Sequence, residues 1–318
     1  MNLPILNPTN RSKSLHFTVF TPTYNRKALL SRVCKCLENQ THRNFEWIII
    51  DDGSTDGTEE EVRQLQSKTD IKIVYQWQPN QGKHMAINAV VKIAKGELII
   101  ICDSDDELVP NALERLKFYW DAFTLEDKRT VAGIFFLCKD QNGNMVGDKF
   151  PKDYQIMDLV GMSIAERIVG EKGAMLQTAI LKMFPFPEDL NNCYVPEGTL
   201  WAKMAQNWKM CFINEPLRIY WLEERSDSLS LISTTVKNYP GSLYYHLCFL
   251  NYNMRFFYKR PKLFMGEATR YTKLSLHLGI NFSQQYFKIK PLSAKLLWIC
   301  FIPLGYILYL RDKIFRKI

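Results

Sequence analysis

The sequence predicts an α/β fold: a doubly wound, Rossmann-like, mostly parallel sheet with flanking helices, followed by a helical C-terminal extension. Three observations predict it. Strand-like and helix-like segments alternate over the first 120 residues, the pattern of βαβ units. Two of the strand-like runs, Ile48-Ile49-Ile50 and Leu98-Ile99-Ile100-Ile101, are unbroken aliphatic stretches, as strands buried on both faces require. Both end in acids, Asp51-Asp52 and Asp103-Ser104-Asp105-Asp106. Acids there lie at the carboxyl edge of the sheet, where open α/β folds bind ligands.

Phe17 to Phe20 reads as the first strand, ending at Thr21-Pro22-Thr23-Tyr24-Asn25-Arg26. Leu29, Val33 and Leu37, four residues apart, predict the first helix. Trp47–Ile50 is the second strand, and Asp51 to Gly57 a turn. Thr58-Glu59-Glu60-Glu61 has the capping-box pattern for a helix through Leu65. Ile71–Tyr75 is a third strand. Gln81-Gly82-Lys83 opens a helix carrying Met85, Ala89 and Ile93, and Gly96 breaks it before a strand over 98–102. Pro110 starts the next helix, with Leu113, Leu116 and Trp120 on one face.

Beyond residue 120 the pattern changes. Val131–Lys139 and Asn144–Phe150 flank Asp140-Gln141-Asn142-Gly143, a hairpin turn. Residues 155–183 read as a Met-rich helical stretch, and Glu197 to Trp208 as a helix. Met210–Ile213 and Arg218–Trp221 read as two further strands. From about residue 236 the chain becomes aromatic, basic and helical, which divides it into a domain over 1–235 and an extension over 236–318. Leu296 to Leu310 carries no charge across 15 residues, short of the roughly 20 that a spanning helix needs. With Pro303 and Gly305 inside it, no full-length span is expected. Aromatic residues with flanking cations fit an element lying in or dipping into a membrane interface, or a helix packing on protein or on a second copy.

The formal charge is +8, but residues 255–318 hold 13 Lys and Arg against two acids. The basic character therefore belongs to the C-terminal fifth, which suits an anionic phospholipid surface and argues against nucleic acid as a partner. Eight cysteines are scattered without a CxxC pair, which suits reduced core thiols and excludes a zinc framework. Met1 to Ser14 lacks the apolar core of a signal peptide. The expected location is the cytoplasm, peripherally on the inner face of the inner membrane.

Asp103 and Asp105, one residue apart, can bring oxygens to one hard divalent cation, the usual bridge to a pyrophosphate. Four segments then carry a resemblance: Thr21-Pro22-Thr23-Tyr24-Asn25; Ile50-Asp51-Asp52-Gly53-Ser54-Thr55-Asp56; Gly82-Lys83-His84-Met85-Ala86-Ile87-Asn88; and Lys95-Gly96-Glu97 leading into Asp103-Ser104-Asp105-Asp106. In order and spacing they resemble the family 2 glycosyltransferases, over roughly residues 15–225. The resemblance implies a GT-A fold, a nucleotide-sugar donor, a divalent metal (Mn²⁺ or Mg²⁺) and inversion at the anomeric carbon. It implies that Pro22, Tyr24 and Arg26 line the nucleotide pocket and that Asp52 meets uracil or ribose. Lys83 would approach the base or phosphates. Asp103, with Ser104 beside it, would touch the ribose or sugar, and Asp105 would hold the metal. Asp56 reads as a turn or cap residue.

An inverting transfer needs a base for the acceptor hydroxyl. The family places it in a Glu-Asp pair at a helix start well downstream. Glu188-Asp189 offers the literal pair. Glu197, in Val195-Pro196-Glu197-Gly198-Thr199-Leu200-Trp201, starts the apolar helix and is the expected base. Arg225 falls where relatives fold a loop over the diphosphate, and Trp201 and Trp221 are candidates for stacking on the acceptor, Trp201 reading better as buried core. The expected activity is transfer of one sugar from a UDP-sugar to a lipid-linked saccharide in surface-polysaccharide assembly. The competing class is a nucleotide-sugar-binding subunit without turnover. A dinucleotide oxidoreductase is excluded, because no glycine stands among Thr21-Pro22-Thr23-Tyr24-Asn25-Arg26. A processive synthase is disfavoured by the expected lack of spanning helices.

Overall fold

The computed structural model describes residues 16–221 and 235–315. Its first part is four strands and their crossover helices: β1 (Phe17–Thr23), α1 (Lys27–Glu38), β2 (Phe45–Asp51), α2 (Thr58–Lys68), β3 (Ile73–Trp77), α3 (Lys83–Ile93) and β4 (Leu98–Ile101). The strands pair in parallel in the order β3-β2-β1-β4. Alternation along β2 explains why its aliphatic run is unbroken. Trp47 and Ile49 point to the layer of α1 and α2, while Ile48 and Ile50 point to the layer of α3. All four are fully buried.

The second part contains β5 (Asp106–Leu108), α4 (Ala112–Asp121), α5 (Leu125–Thr130), β6 (Val131–Lys139), β7 (Met145–Val146), β8 (Gln155–Met157), α6 (Leu159–Ile164), β9 (Lys172–Gln177), α7 (Thr178–Leu181), α8 (Gly198–Met204) and β10 (Lys209–Tyr220). Here the sheet continues as β4-β9-β6-β10-β5. β9 runs antiparallel to β4 and β6, and β5 antiparallel to β10, while β6 and β10 are parallel. The full sheet is thus mixed: wholly parallel over β3-β2-β1-β4, and mainly antiparallel beyond β4 apart from the β6–β10 pair.

Three further expectations change. Residues 155–183 are not one helical stretch. Lys172–Gln177 is an interior strand, because its backbone bonds β4 on one side and β6 on the other while Met175 and Leu176 are fully buried. The two strands expected at 210–213 and 218–221 are one strand, β10, whose register slips between Ile213 and Pro216 and again before Arg218. That irregularity is how a proline is housed in a strand. The capping box does not form at Thr58. Gly57 is the N-cap, and Asp56 accepts from the Thr58 amide (3.1 Å) and hydroxyl (2.6 Å) instead.

The C-terminal helices are α9 (Tyr239–Asn253), α10 (Pro261–His277), α11 (Phe282–Lys288) and α12 (Leu292–Phe315). Their core is Tyr239, Leu243, Leu250, Tyr271, Leu274 and Trp298. A neighbouring cluster of Val160, Ile164, Ala205, Phe249 and Phe264 joins them to α6 and α8. α12 overturns the expectation that no helix is of full length. It runs unbroken for 24 residues, with Pro303 inside it, and is long and apolar enough to cross a membrane. Proline removes one i→i−4 bond. Here the pair that loses it, Pro303 and Ile299, is exposed, so the helix tolerates the loss.

Candidate active site

Both acid clusters stand at the carboxyl ends of parallel strands. At the end of β2, Asp51 is 1% exposed. It accepts from the Ser54 amide (2.8 Å) and the Tyr75 hydroxyl (2.7 Å), so it shapes the turn. Asp52 faces the other way. Its oxygens accept from Gln78 Nε2 (2.7 Å), the Gln81 amide (2.9 Å) and the Gly82 amide (2.7 Å). Burial pushes its carboxyl above the usual range, against the pull of these donors. Asp52 therefore secures the loop that opens α3, a role the sequence did not suggest. Gly82 in that loop has φ +96°, and a Cβ there would sit 2.8 Å from the Cys193 carbonyl oxygen, so the 190–197 segment lies directly on it.

At the end of β4, the carboxylates of Asp103, Asp105 and Asp106 bring oxygens within 4.8 Å of one another. Each also meets a cation. Arg26 Nη1 lies 2.5 Å from Asp105 Oδ2. Lys83 Nζ lies 2.7 Å from Asp103 Oδ1. Arg218 Nε lies 3.4 Å from Asp106 Oδ2, where both side chains are buried. Arg32 donates to the Asp105 carbonyl at 2.9 Å, which fixes the loop backbone. Hard carboxylate oxygens converging at a sheet edge fit a divalent cation. Asp103 and Asp105 are partly exposed and Asp106 is not, so the first two fit that cation and Asp106 belongs to the buried pair.

Lys83 also reaches Glu197 Oε1 at 3.0 Å. Burial would lower its pKa, but Asp103 and Glu197 outweigh it and hold the ammonium well above its usual value. One lysine thus ties the β4 cluster to the start of α8, where Glu197 is the N-cap. The alternative acid, Glu188, is exposed and lies 3.8 Å from Lys92 on the outer side of α3. Of the two base candidates, the fold brings only Glu197 to the acid cluster.

Gly198 follows from packing. A Cβ at this position would meet the Tyr245 ring of α9 at 2.6 Å. The Tyr194 amide donates at 2.7 Å to Oδ1 of Asn238, the N-cap of α9, so α9 and its cap hold the segment that carries Glu197 from both sides. Gly198→Asp, which restores the pairing common in relatives, is expected to destabilise the protein by about 1–3 kcal/mol through overpacking. Thermal unfolding of Gly198→Asp and of Gly198→Asp with Tyr245→Ala checks this, the second change relieving part of the loss. An unaltered melting temperature for the single variant would show that the ring yields freely.

The remaining sequence candidates fall as follows. Pro22 lies in β1 opposite Ile50. Tyr24 is 49% exposed just past the strand. Ser104 is buried. Asp56 bonds the Lys27 amide at 2.9 Å as well as Thr58, and is structural. Trp201 packs edge-on against Phe135. Trp221 stacks under Arg32 and donates to Glu107 at 2.8 Å. Arg225 lies outside the described residues. Reading the sequence missed Arg218, which also reaches Glu171 at 3.3 Å. The available signal was a cation set among Leu217, Ile219 and Tyr220 in a strand, which demands a partner when buried.

Comparison with known proteins agrees with this geometry. The family model described as Glycosyl transferase family 2 matches residues 18–181. A Campylobacter jejuni protein named GalNAc(5)-diNAcBac-PP-undecaprenol beta-1,3-glucosyltransferase is 30% identical over 221 residues, 67% of either chain. An uncharacterized glycosyltransferase of Methanocaldococcus jannaschii is 27% identical over 222 residues, 68% of this chain and 73% of its own. Among solved structures, S. aureus TarS 1-349 in complex with UDP-GlcNAc superposes with a TM-score of 0.59 at 20% identity, over 90% of this chain and 79% of that one. Mannosyltransferase PcManGT from Pyrobaculum calidifontis, in complex with GDP-Man and Mn²⁺, gives 0.51 at 17% identity, over 98% and 90%. With the four motifs, the strand-end acids and the sheet agreeing, this chain belongs to glycosyltransferase family 2 and has the GT-A fold.

Proposed function

We propose that the protein transfers one sugar, with inversion, from a UDP-sugar to a lipid-linked saccharide acceptor during surface-polysaccharide assembly at the cytoplasmic face of the membrane. The observation that carries the reading is the Lys83 bridge between Asp103 and Glu197. It puts a strand-end acid of the donor site and a helix-start acid within reach of one ammonium group. Glu197 takes the proton from the acceptor hydroxyl as it attacks the anomeric carbon. Asp103 and Asp105 would hold the divalent cation, which when bound offsets the charge of the departing diphosphate. Lys83 and Arg26 add fixed positive charge on the same side, and Lys83 holds the Glu197 carboxylate beside the cluster at 3.0 Å. Pro22 and Tyr24 line the nucleoside side. Asp52 acts there through the Gln78–Gly82 loop it secures.

The donor class is supported by the two superposed structures, which carry nucleotide-sugars. The acceptor class is supported by the undecaprenol in the name of the Campylobacter protein. An Aeromonas hydrophila relative, 39% identical over 104 residues, is likewise named for undecaprenyl phosphate. Attachment to the phospholipid surface rests on the apolar exterior of α12 and the basic C-terminal fifth.

A thermal-shift panel of nucleotide-sugars with and without Mn²⁺ tests this. Donor at a hundredfold excess over Kd stabilises by about 2.7 kcal/mol, so one UDP-sugar is expected to raise the melting temperature by a few degrees in the presence of the ion. If no nucleotide moves it, the donor assignment is wrong. If a donor binds and is never turned over with any acceptor, the non-catalytic subunit reading takes its place.

A further inference from the structure

α12 has two opposite faces. Ala294, Trp298, Gly305 and Asp312 are buried, at spacings of about one or two turns. Leu292, Leu296, Ile299, Ile307, Leu310 and Ile314 form a second stripe, each 38–70% exposed, on the far side of the helix. That stripe runs the whole length of the helix, about 33 Å. Six large apolar side chains in one continuous exposed row mark an interaction surface, unlike singly scattered apolar residues.

The buried face is fastened to α10 along its length. Leu297 packs in the cluster with Phe264. A Cβ at Gly305 would meet Thr272 at 2.6 Å and the Thr269 carbonyl at 2.9 Å. Seven residues on, Asp312, 1% exposed, lies 2.6 Å from Lys273 Nζ and 3.6 Å from His277 Nε2. The two helices therefore run side by side in the same direction. α10 carries Lys262, Glu267, Arg270, Lys273 and His277 within 17 residues, and Glu267 is itself held by His246 and Arg270. If α12 crossed a bilayer, α10 would have to accompany it, with five ionisable groups in the hydrocarbon.

We propose that α12 lies flat in the interface of an anionic phospholipid surface, its exposed stripe turned to the acyl chains, and that it does not span the bilayer. The placement rests on the membrane reading above. Charge complementarity selects the occupant. Exposed Lys290, Arg311 and Lys313 rim the stripe, and Lys295 lies 4.2 Å from the Tyr286 ring beside it. Cations beside interfacial aromatics suit lipid phosphates. α10 packs on α9, and α9 holds the segment of Glu197. The bundle thus joins the membrane-facing stripe directly to the acceptor side of the cleft.

Depth-resolved quenching on the full chain tests the placement. Cys300 is the one exposed thiol of the eight cysteines, so a Cys300→Ser background allows single labels at Leu296→Cys, Ile307→Cys and Ile314→Cys. Vesicles of phosphatidylethanolamine and phosphatidylglycerol carry brominated lipids of different depth. All three labels are expected to read the same shallow depth. Ile299→Glu with Ile307→Glu should cut vesicle partitioning about tenfold or more with an unchanged melting temperature, since both sites are exposed. A profile deep at Ile307 and shallow at both ends means a span, which overturns the flat placement and leaves the membrane reading standing. Absence of vesicle binding overturns both. Self-association through the stripe, abolished by the double variant, would assign the face to a second copy of the chain instead.

Discussion

Glu197→Gln is expected to lower sugar transfer about 10²- to 10⁴-fold, the usual contribution of a positioned general base, while donor affinity stays close to that of the unaltered enzyme. Glutamine keeps the size of the side chain and an oxygen for Lys83, which retains Asp103 at 2.7 Å. The donor side of the cleft should therefore survive. What disappears is the proton acceptor. Where a Glu-Asp pair stands at the helix start, the second acid can cover part of such a loss. Here the next residue is Gly198, and the Tyr245 ring occupies the space a second acid would need. Glu188→Gln is the internal control. Glu188 is exposed and its ion pair among the described residues is with Lys92, at 3.8 Å, so its loss should leave transfer unchanged. Transfer assays of both variants, with donor binding measured alongside, decide the matter. Near-native turnover in Glu197→Gln, or a large loss in Glu188→Gln, would move the base elsewhere.

The parallel half of the sheet was legible because its information is local. Each strand of β1 to β3 is followed by its own helix, and aliphatic runs such as Ile48-Ile49-Ile50 suit only a strand covered on both faces. β9 was not legible. Lys172-Gly-Ala-Met-Leu-Gln has no β-branched residue, so its own preferences are weak. It is a strand because β4 and β6 offer unpaired backbone on either side, a fact about residues more than 30 positions away. β10 was read as two strands with residues 214–217 left between them, whereas register shifts absorb Pro216 and Glu215 next to it binds Arg115 and Tyr119. The site shows the same division. The acids were visible as strand-end clusters. Which of them pair with protein cations was not, since Arg218, Arg26 and Lys83 approach from separate elements. Asp52 was expected to meet the nucleoside; that its oxygens also hold the Gln78–Gly82 loop was not visible in the sequence.

Asp105→Asn is expected to abolish metal-dependent donor binding and to lower transfer about 10³-fold or more, because loss of the cation removes several kcal/mol of leaving-group stabilisation. The fold should tolerate the change. Arg32 holds the Asp105 backbone carbonyl, and the Asp106 amide donates to the Asp103 carbonyl at 3.0 Å, so the loop keeps its shape when the charge is gone. Asp106→Asn should behave in the opposite way. Its carboxylate is 1% exposed and faces Arg218, itself 5% exposed. Removing the buried partner leaves the guanidinium only the exposed Glu171 at 3.3 Å as a counter-charge among the described residues, and breaking a buried pair typically costs about 3–5 kcal/mol of stability. Three acids that sit together within 4.8 Å are thus expected to separate into a pair that serves the ligand and one that serves the fold. Titration of Mn²⁺ in the presence of UDP, followed by the paramagnetic signal of the free ion, separates the two outcomes when read beside thermal unfolding. If Asp106→Asn keeps its melting temperature and loses Mn²⁺, while Asp105→Asn still binds the ion, the division is wrong and the buried acid is a metal ligand.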